Sequence, residues 1–279
     1  MTKSAGVAVG ARKIAAFPMY DLPQLASATD AFWGAIAKRL EDAGLTGVPI
    51  SLTRSEDYAA TWRDPRLLLG QACGYPLMKR FRNAARIVAT PLYTSPGCES
   101  WSHCSVFITN AKAGRPTLDA LRGSVCAVNG FDSNTGMNLL RAAIAPLAGK
   151  RAFFHSVVVT GSHLASLEAV ADGRADLAAI DCVSFAHFQH FEPALARRVT
   201  QIGRSTRTAA PPFITARETD DAVVEILRGA LNDVAADPEL DSVRAALVIG
   251  GFEVLSEADY EFALRIEKDA ATEGYPDLR

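Results

Sequence analysis

The sequence predicts a two-lobed α/β protein in which the second lobe is inserted into the first. Three observations carry this reading. The 279 residues exceed the roughly 100 to 200 that make one domain. Short apolar runs alternate along the chain with segments of helical spacing. The alternation breaks twice, at residues 91–97 and 205–212, where Pro, Gly, Ser and Thr gather. Read as chain crossings, the breaks assign residues 1–98 and 206–279 to a discontinuous first lobe and 99–205 to the inserted one.

Each element follows from its pattern. Residues 13–20 read as the first strand, and 28–43 as a helix with Phe32, Ile36 and Leu40 on one face and Gly44 as its stop. Residues 48–52 read as a second strand. Residues 66–71 and 86–90 are apolar runs of the kind that fill a buried parallel sheet. The inserted lobe begins with a strand at 105–109. Strand 124–128 then leads to a helix at 135–147, and strand 153–160 to one at 162–171. Residues 177–180 close this lobe as a buried strand. After 199–202 the chain returns, 213–215 rejoins the first sheet, and helices at 220–237 and 240–247 complete it. In such an arrangement strand ends and helix starts from both lobes converge on a cleft, where ligands commonly bind.

Composition narrows the partners. With 29 Lys and Arg against 31 Asp and Glu, no basic field favours nucleic acid or an acidic membrane. A small anionic ligand needs no such field, because backbone N–H groups and hydroxyls can hold it. No apolar run reaches the roughly 20 residues that span a bilayer, so membrane insertion is not expected. Residues 1–13 lack the apolar core of a secretory signal, which reads as cytoplasmic, or periplasmic if a leader was removed.

Five cysteines without a C-x-x-C pair suggest neither a disulfide framework nor a zinc site. Cys126 and Cys182 read as small buried residues, while Cys98 and Cys104 leave a loop disulfide open. His187 and His190 have the spacing of half a metal site but no acidic third ligand, so neither metal nor cofactor is expected. Trp33 and His155 read as core. Residues 101–104 line the cleft or pad the hinge.

Two strand-to-helix turns carry chemistry. The first is Asn129-Gly130-Phe131-Asp132-Ser133-Asn134-Thr135-Gly136. The first N–H groups of a helix lack intrahelical partners and sit at the positive end of its dipole, and Ser133, Asn134 and Thr135 add donors while Gly136 permits close approach. The same residue types also serve as plain N-caps. The second turn, Thr160-Gly161-Ser162-His163, would present Ser162 and an imidazole to the same cleft. Tyr20, ending the first strand, either reaches the cleft or packs in a turn.

These turns, with the run Leu164 to Asp181 and the segment Leu69 to Tyr75, resemble the PhnD-type phosphate, phosphite and phosphonate substrate-binding proteins of ABC transporters, in element order over nearly the whole chain. The resemblance implies a type II periplasmic-binding-protein-like fold with hinged lobes. It implies that Ser133, Asn134, Thr135, Gly136, Ser162 and His163 hold phosphoryl oxygens, that Tyr75 walls the cleft, and that Asp181 faces a ligand amine. Asn134 stands where the family usually has a hydroxyl and Asp132 precedes the site, so a carboxylate or neutral heterocycle stays open as ligand. The implied function is oxyanion capture for uptake, with an ABC permease as partner. The alternatives are a cytosolic enzyme on the same scaffold, of the thiamin-pyrimidine or menaquinone-precursor type, and an intracellular sensor. No nucleophile elbow or glycine-rich nucleotide motif argues for catalysis.

Overall fold

Most of the apolar runs become strands, in a computed structural model that describes residues 12–279. In chain order these are β1 (Ile14–Ala16), β2 (Leu67–Gln71), β3 (Ala85–Tyr93), β4 (Ser102–His103), β5 (Ser105–Asn110) and β6 (Val125–Val128). They continue as β7 (Ser156–Val159), β8 (Leu177–Asp181), β9 (Val199–Arg204), β10 (Thr208–Ala209), β11 (Phe213–Ala216) and β12 (Ile249–Glu253). One sheet has the order β1-β2-β11-β3-β12 and the other β7-β6-β8-β5-β9. The two chain crossings meet as an antiparallel ribbon, β4 against β10, with Thr208 opposite His103 and Ala209 opposite Ser102. This is a two-lobed α/β fold with one sheet per lobe.

The sheets are mixed rather than parallel. The returning β11 runs antiparallel between β2 and β3, and β12 runs antiparallel along β3. In the second sheet β7, β6 and β8 are parallel, β5 runs against them, and β9, antiparallel to β5, runs with them again. β2 and β8 are buried at every position, which is why they read as unbroken apolar runs.

Two strand expectations shrink for physical reasons. The run 13–20 pairs only over Ile14–Ala16, because Pro18 cannot donate to a ladder. The run 48–52 forms no strand. Its Pro49 lacks a donor too, and the Pro49 carbonyl instead accepts a bond from the Trp33 indole at 3.1 Å. Trp33 is thereby fixed in the core of the helix Ala26–Asp42, which ends at Gly44 with the left-handed φ of 86°.

The chain after β12 adds something unanticipated. The sequence pattern groups 206–279 with the first lobe, yet the helix Phe262–Thr272 turns Ala263 and Ala270 into the buried cluster of Met137, Leu140 and Ile144 of the second. Small residues let this helix approach closely. Asn138 donates to the Ala263 carbonyl at 3.0 Å, Arg141 to the Pro276 carbonyl at 2.8 Å, and the Phe153 N–H to the Arg279 carbonyl at 2.6 Å. Segment 262–279 is thus laced to the inserted lobe.

Candidate functional site

The strand ends of the first lobe set one wall of the cleft. Tyr20 follows β1, and its hydroxyl is buried with no hydrogen-bond partner. Its ring meets Tyr93, at the end of β3, edge to face at 5.2 Å. The Tyr93 hydroxyl accepts a bond from Gln71, the last residue of β2, at 2.7 Å. Burial, with the charge of Asp181 contributing, holds both phenols well above the ordinary tyrosine value, so they remain protonated donors. A cavity of about 30 Å³ lies among Phe17, Tyr20, Gln71, Tyr93 and Phe213. Its wall is completed from the second lobe by His187, whose Nε2 is buried without a partner. Among the described residues no Lys or Arg lines it.

The turn after β6 is tightly built. Ser133 accepts a bond from the Gly136 N–H at 3.0 Å and caps the helix. The Asn138 N–H bonds the Ser133 carbonyl five residues back, so Asn134–Asn138 is a π-helical turn leading into the helix Leu139–Ala148. Asn134 is buried and donates to the Thr208 hydroxyl of β10 at 2.9 Å while accepting from Asn138 at 3.1 Å. The Thr135 carbonyl accepts from the Ser105 hydroxyl at 2.6 Å, which fixes its backbone. A Cβ on Gly136 would sit 1.7 Å from the Asn129 Oδ1, so only a hydrogen fits.

The turn after β7 is open by comparison. Gly161 adopts φ of 90°, and exposed Ser162 caps the helix His163–Ala171 by accepting from the Ala165 N–H at 3.1 Å. His163, the first residue of that helix, places Nε2 3.3 Å from the Thr135 hydroxyl. Burial holds its imidazole below the ordinary value, with the Asp181 charge opposing, so the ring is neutral at neutral pH.

Asp181 ends β8 and is the charge at the centre. Its Oδ2 lies 2.8 Å from the Nδ1 of His103 on β4, both side chains being 4% exposed. Its Oδ1 accepts from the Val183 and Ser184 N–H groups at 2.9 and 3.1 Å, capping the helix Cys182–Phe191. Burial alone would raise its pKa; the charge and hydrogen bond of His103 outweigh it, and the carboxyl stays below the ordinary range, ionised.

Of the residues singled out in the sequence, Thr135, His163, Asp181 and Tyr20 converge. Ser133, Asn134 and Gly136 build the turn that carries Thr135. Ser162 points its hydroxyl at its own helix. Tyr75 is buried elsewhere: it packs with Phe107, Met137 and Leu140, and its hydroxyl accepts from Lys79 at 3.0 Å, itself paired with Glu267. Like Thr135, His163 and Asp181, it is not among the residues that line the small cavity. Tyr93 joins the cluster unselected by sequence, Gln71, His103 and Asn129 come from segments the sequence marked without choosing them as ligands, and His187 contributes from the spacing read as half a metal site. Position gives them away, since Gln71 and Tyr93 end cleft-facing strands and Asn129 follows one.

A family model described as ABC transporter, phosphonate, periplasmic substrate-binding protein matches residues 14–260, which contain every one of these groups. The chain belongs to this family. This phosphonate-binding family member is a solute-binding protein in fold as well. It superposes on the binding-protein component of a Pseudomonas aeruginosa ABC phosphonate transporter with a TM-score of 0.76 at 15% identity, covering 94% of this chain and 87% of that one. PhnD1 from Prochlorococcus marinus, solved with methylphosphonate, gives 0.73 at 14% identity over 93% and 98%. A Xanthomonas citri protein solved bound to chloride gives 0.72 at 15% over 94% and 98%. No curated protein matches the chain in sequence. Among the described residues no helix is long and apolar enough to cross a membrane, and no group of three His, Cys, Asp or Glu is placed to hold a metal ion.

Proposed function

We propose that this binding protein captures a small oxyanion, a phosphate, phosphonate or related anion, between its lobes. The observation that carries this is the meeting of two helix starts at Thr135 and His163, 3.3 Å apart, with the Asp181 charge acting on both His163 and the unpartnered Tyr20 hydroxyl of the first lobe. Thr135 and Tyr20 offer O–H donors and neutral His163 one N–H donor. An arriving anion would raise the His163 pKa and strengthen that donor. Relatives of this fold solved with methylphosphonate and with chloride support an anion as ligand.

The cavity beside Tyr20 is only about 30 Å³, little more than a water molecule, and neither Thr135 nor His163 lines it, so Tyr20, Thr135 and His163 share one ligand only if the lobes separate. The ribbon of β4 and β10 is where the chain would bend, with 99–205 as the inserted lobe and 262–279 moving with it. Family membership supports the periplasm over the cytoplasm as the working compartment and an ABC permease as the receiver.

Calorimetric titration with phosphate, methylphosphonate, acetate and a pyrimidine tests the reading. Saturable one-to-one binding of an oxyanion is expected. Binding of the neutral pyrimidine alone, with no heat from any anion, would overturn it.

A further inference from the structure

Three of the five cysteines gather where the first crossing meets the second lobe, packed in or against the core, and the proposed ligand site does not use them. Cys98 lies in the loop between β3 and β4, Cys104 between β4 and β5, and Cys182 opens the helix after β8. The Cys98 and Cys182 sulfurs are 3.5 Å apart, in van der Waals contact, although 84 residues separate them. The Cys104 N–H donates to the Cys182 sulfur, also at 3.5 Å. Gly97 shows how crowded this point is: with φ of 112°, a Cβ there would meet both the Cys104 sulfur and the Cys182 Cβ at 3.0 Å. The loop is clamped from the return crossing, where Arg207 donates to the Gly97 carbonyl at 3.2 Å and pairs with Glu99 at 2.9 Å.

We infer that Cys98 and Cys182 form a redox-active thiol pair, a site for a reversible disulfide that takes a low-molecular-weight disulfide as its oxidant. Cys98 is the half-buried member of the cluster and the one an oxidant reaches, whereas Cys104 and Cys182 are buried. The bond with Cys182 and burial push the Cys104 thiol up. The Cys182 thiol is raised as well: its bond with Cys104 lowers it, but the contact with Cys98 and burial together outweigh that. Exposure therefore singles out Cys98 as the attacking thiol, and the 3.5 Å contact makes Cys182 its partner, with Cys104 the bystander. In the exchange, the Cys98 thiolate attacks one sulfur of oxidised glutathione and releases one glutathione thiolate. Cys182, its proton lost to solvent, then attacks the Cys98 sulfur of the mixed disulfide and releases the second. The protein gives up two protons and two electrons, and oxidised glutathione is reduced to two thiols. The bond would tie the crossing loop to the helix that Asp181 caps, so it would restrain the hinge beside the ligand cleft. It does not depend on which ligand the cleft takes.

The test is a thiol count on the full chain before and after incubation with oxidised glutathione, alkylated in denaturant so that burial does not mask a thiol, followed by peptide mapping. Two of the five thiols should be lost and recovered as a single Cys98–Cys182 peptide pair, restored by dithiothreitol. Cys98→Ser and Cys182→Ser should each prevent it, Cys104→Ser should not, and a thermal melt of each variant shows that it folds. Five alkylated thiols after oxidation, or a Cys104–Cys182 pair in the wild-type chain, would overturn the inference.

Discussion

The two strand-to-helix turns of the second lobe are built from similar residues and end in different physical states. Both are capped by a serine, Ser133 or Ser162, whose hydroxyl accepts the N–H three residues on. The first turn is buried from Asn134 to Gly136 and there spends its polar atoms on the protein: Asn134 on Thr208 and Asn138, the Thr135 carbonyl on Ser105. The second is exposed at Gly161 and Ser162 and contributes one group inward, the imidazole of His163. A ligand reading based on residue type treats them as equivalent donor sets. The structure makes the first a rigid platform and the second a mount for a single side chain.

Substitutions can break that contrast, beginning on the buried side. His103→Ala leaves the Asp181 carboxylate, 4% exposed, without its imidazole partner, and breaking a buried pair costs about 3–5 kcal/mol. Denaturant unfolding should show a loss of that order, with a smaller one in Asp181→Asn, which removes the charge as well. Next, Gly136→Ala must displace Asn129 and should cost about 1–3 kcal/mol by overpacking. Gly161→Ala meets open space and carries only the strain of its positive φ, about 1 kcal/mol. Equal losses at the two glycines would erase the distinction between the turns. Ser162→Ala removes an exposed cap worth about 1 kcal/mol of stability and should leave ligand affinity unchanged in calorimetry.

Protonation separates the turns in another way. His163 has a folded pKa below its unfolded value near 6.5, so the folded state binds fewer protons in the interval between the two. Its contribution to stability is therefore complete above the unfolded value and is lost as pH falls toward the folded one. His187 acts in the same direction. Asp181, whose folded pKa is lowered, keeps its contribution until pH falls below the ordinary carboxylate range. Urea midpoints recorded from about pH 7 to pH 5 should decline in the wild type and decline less in His163→Gln. Parallel curves would place His163 in solvent.

The two-lobed α/β class and its alternation were legible because each rests on local pattern, the apolar runs at β2, β6 and β8. The two strand-to-helix turns were legible for the same reason, since strand ends and helix starts announce their own position, whereas the contact of Thr135 with His163 was not. What escaped depends on distant partners. That the Tyr75 hydroxyl accepts from Lys79, itself held by Glu267 of the C-terminal helix, could not be read from the sequence. Asn134 reads as a weakened donor until Thr208 arrives from the return crossing. Segment 262–279 carries no signal of the lobe it will cover, because its small buried residues fit either. Cys98 and Cys182 lie 84 residues apart with nothing in their spacing to pair them.

The central claim is that Thr135 and His163 together hold the ligand oxyanion. Calorimetry of the best-binding anion against wild type, Thr135→Ala and His163→Ala tests it most directly. Loss of a hydrogen bond to a charged group should weaken binding by about 1–3 kcal/mol in each variant, at unchanged stoichiometry and with the fold intact. Wild-type affinity in both variants would contradict the claim and reduce the pair to a structural contact between two helix starts.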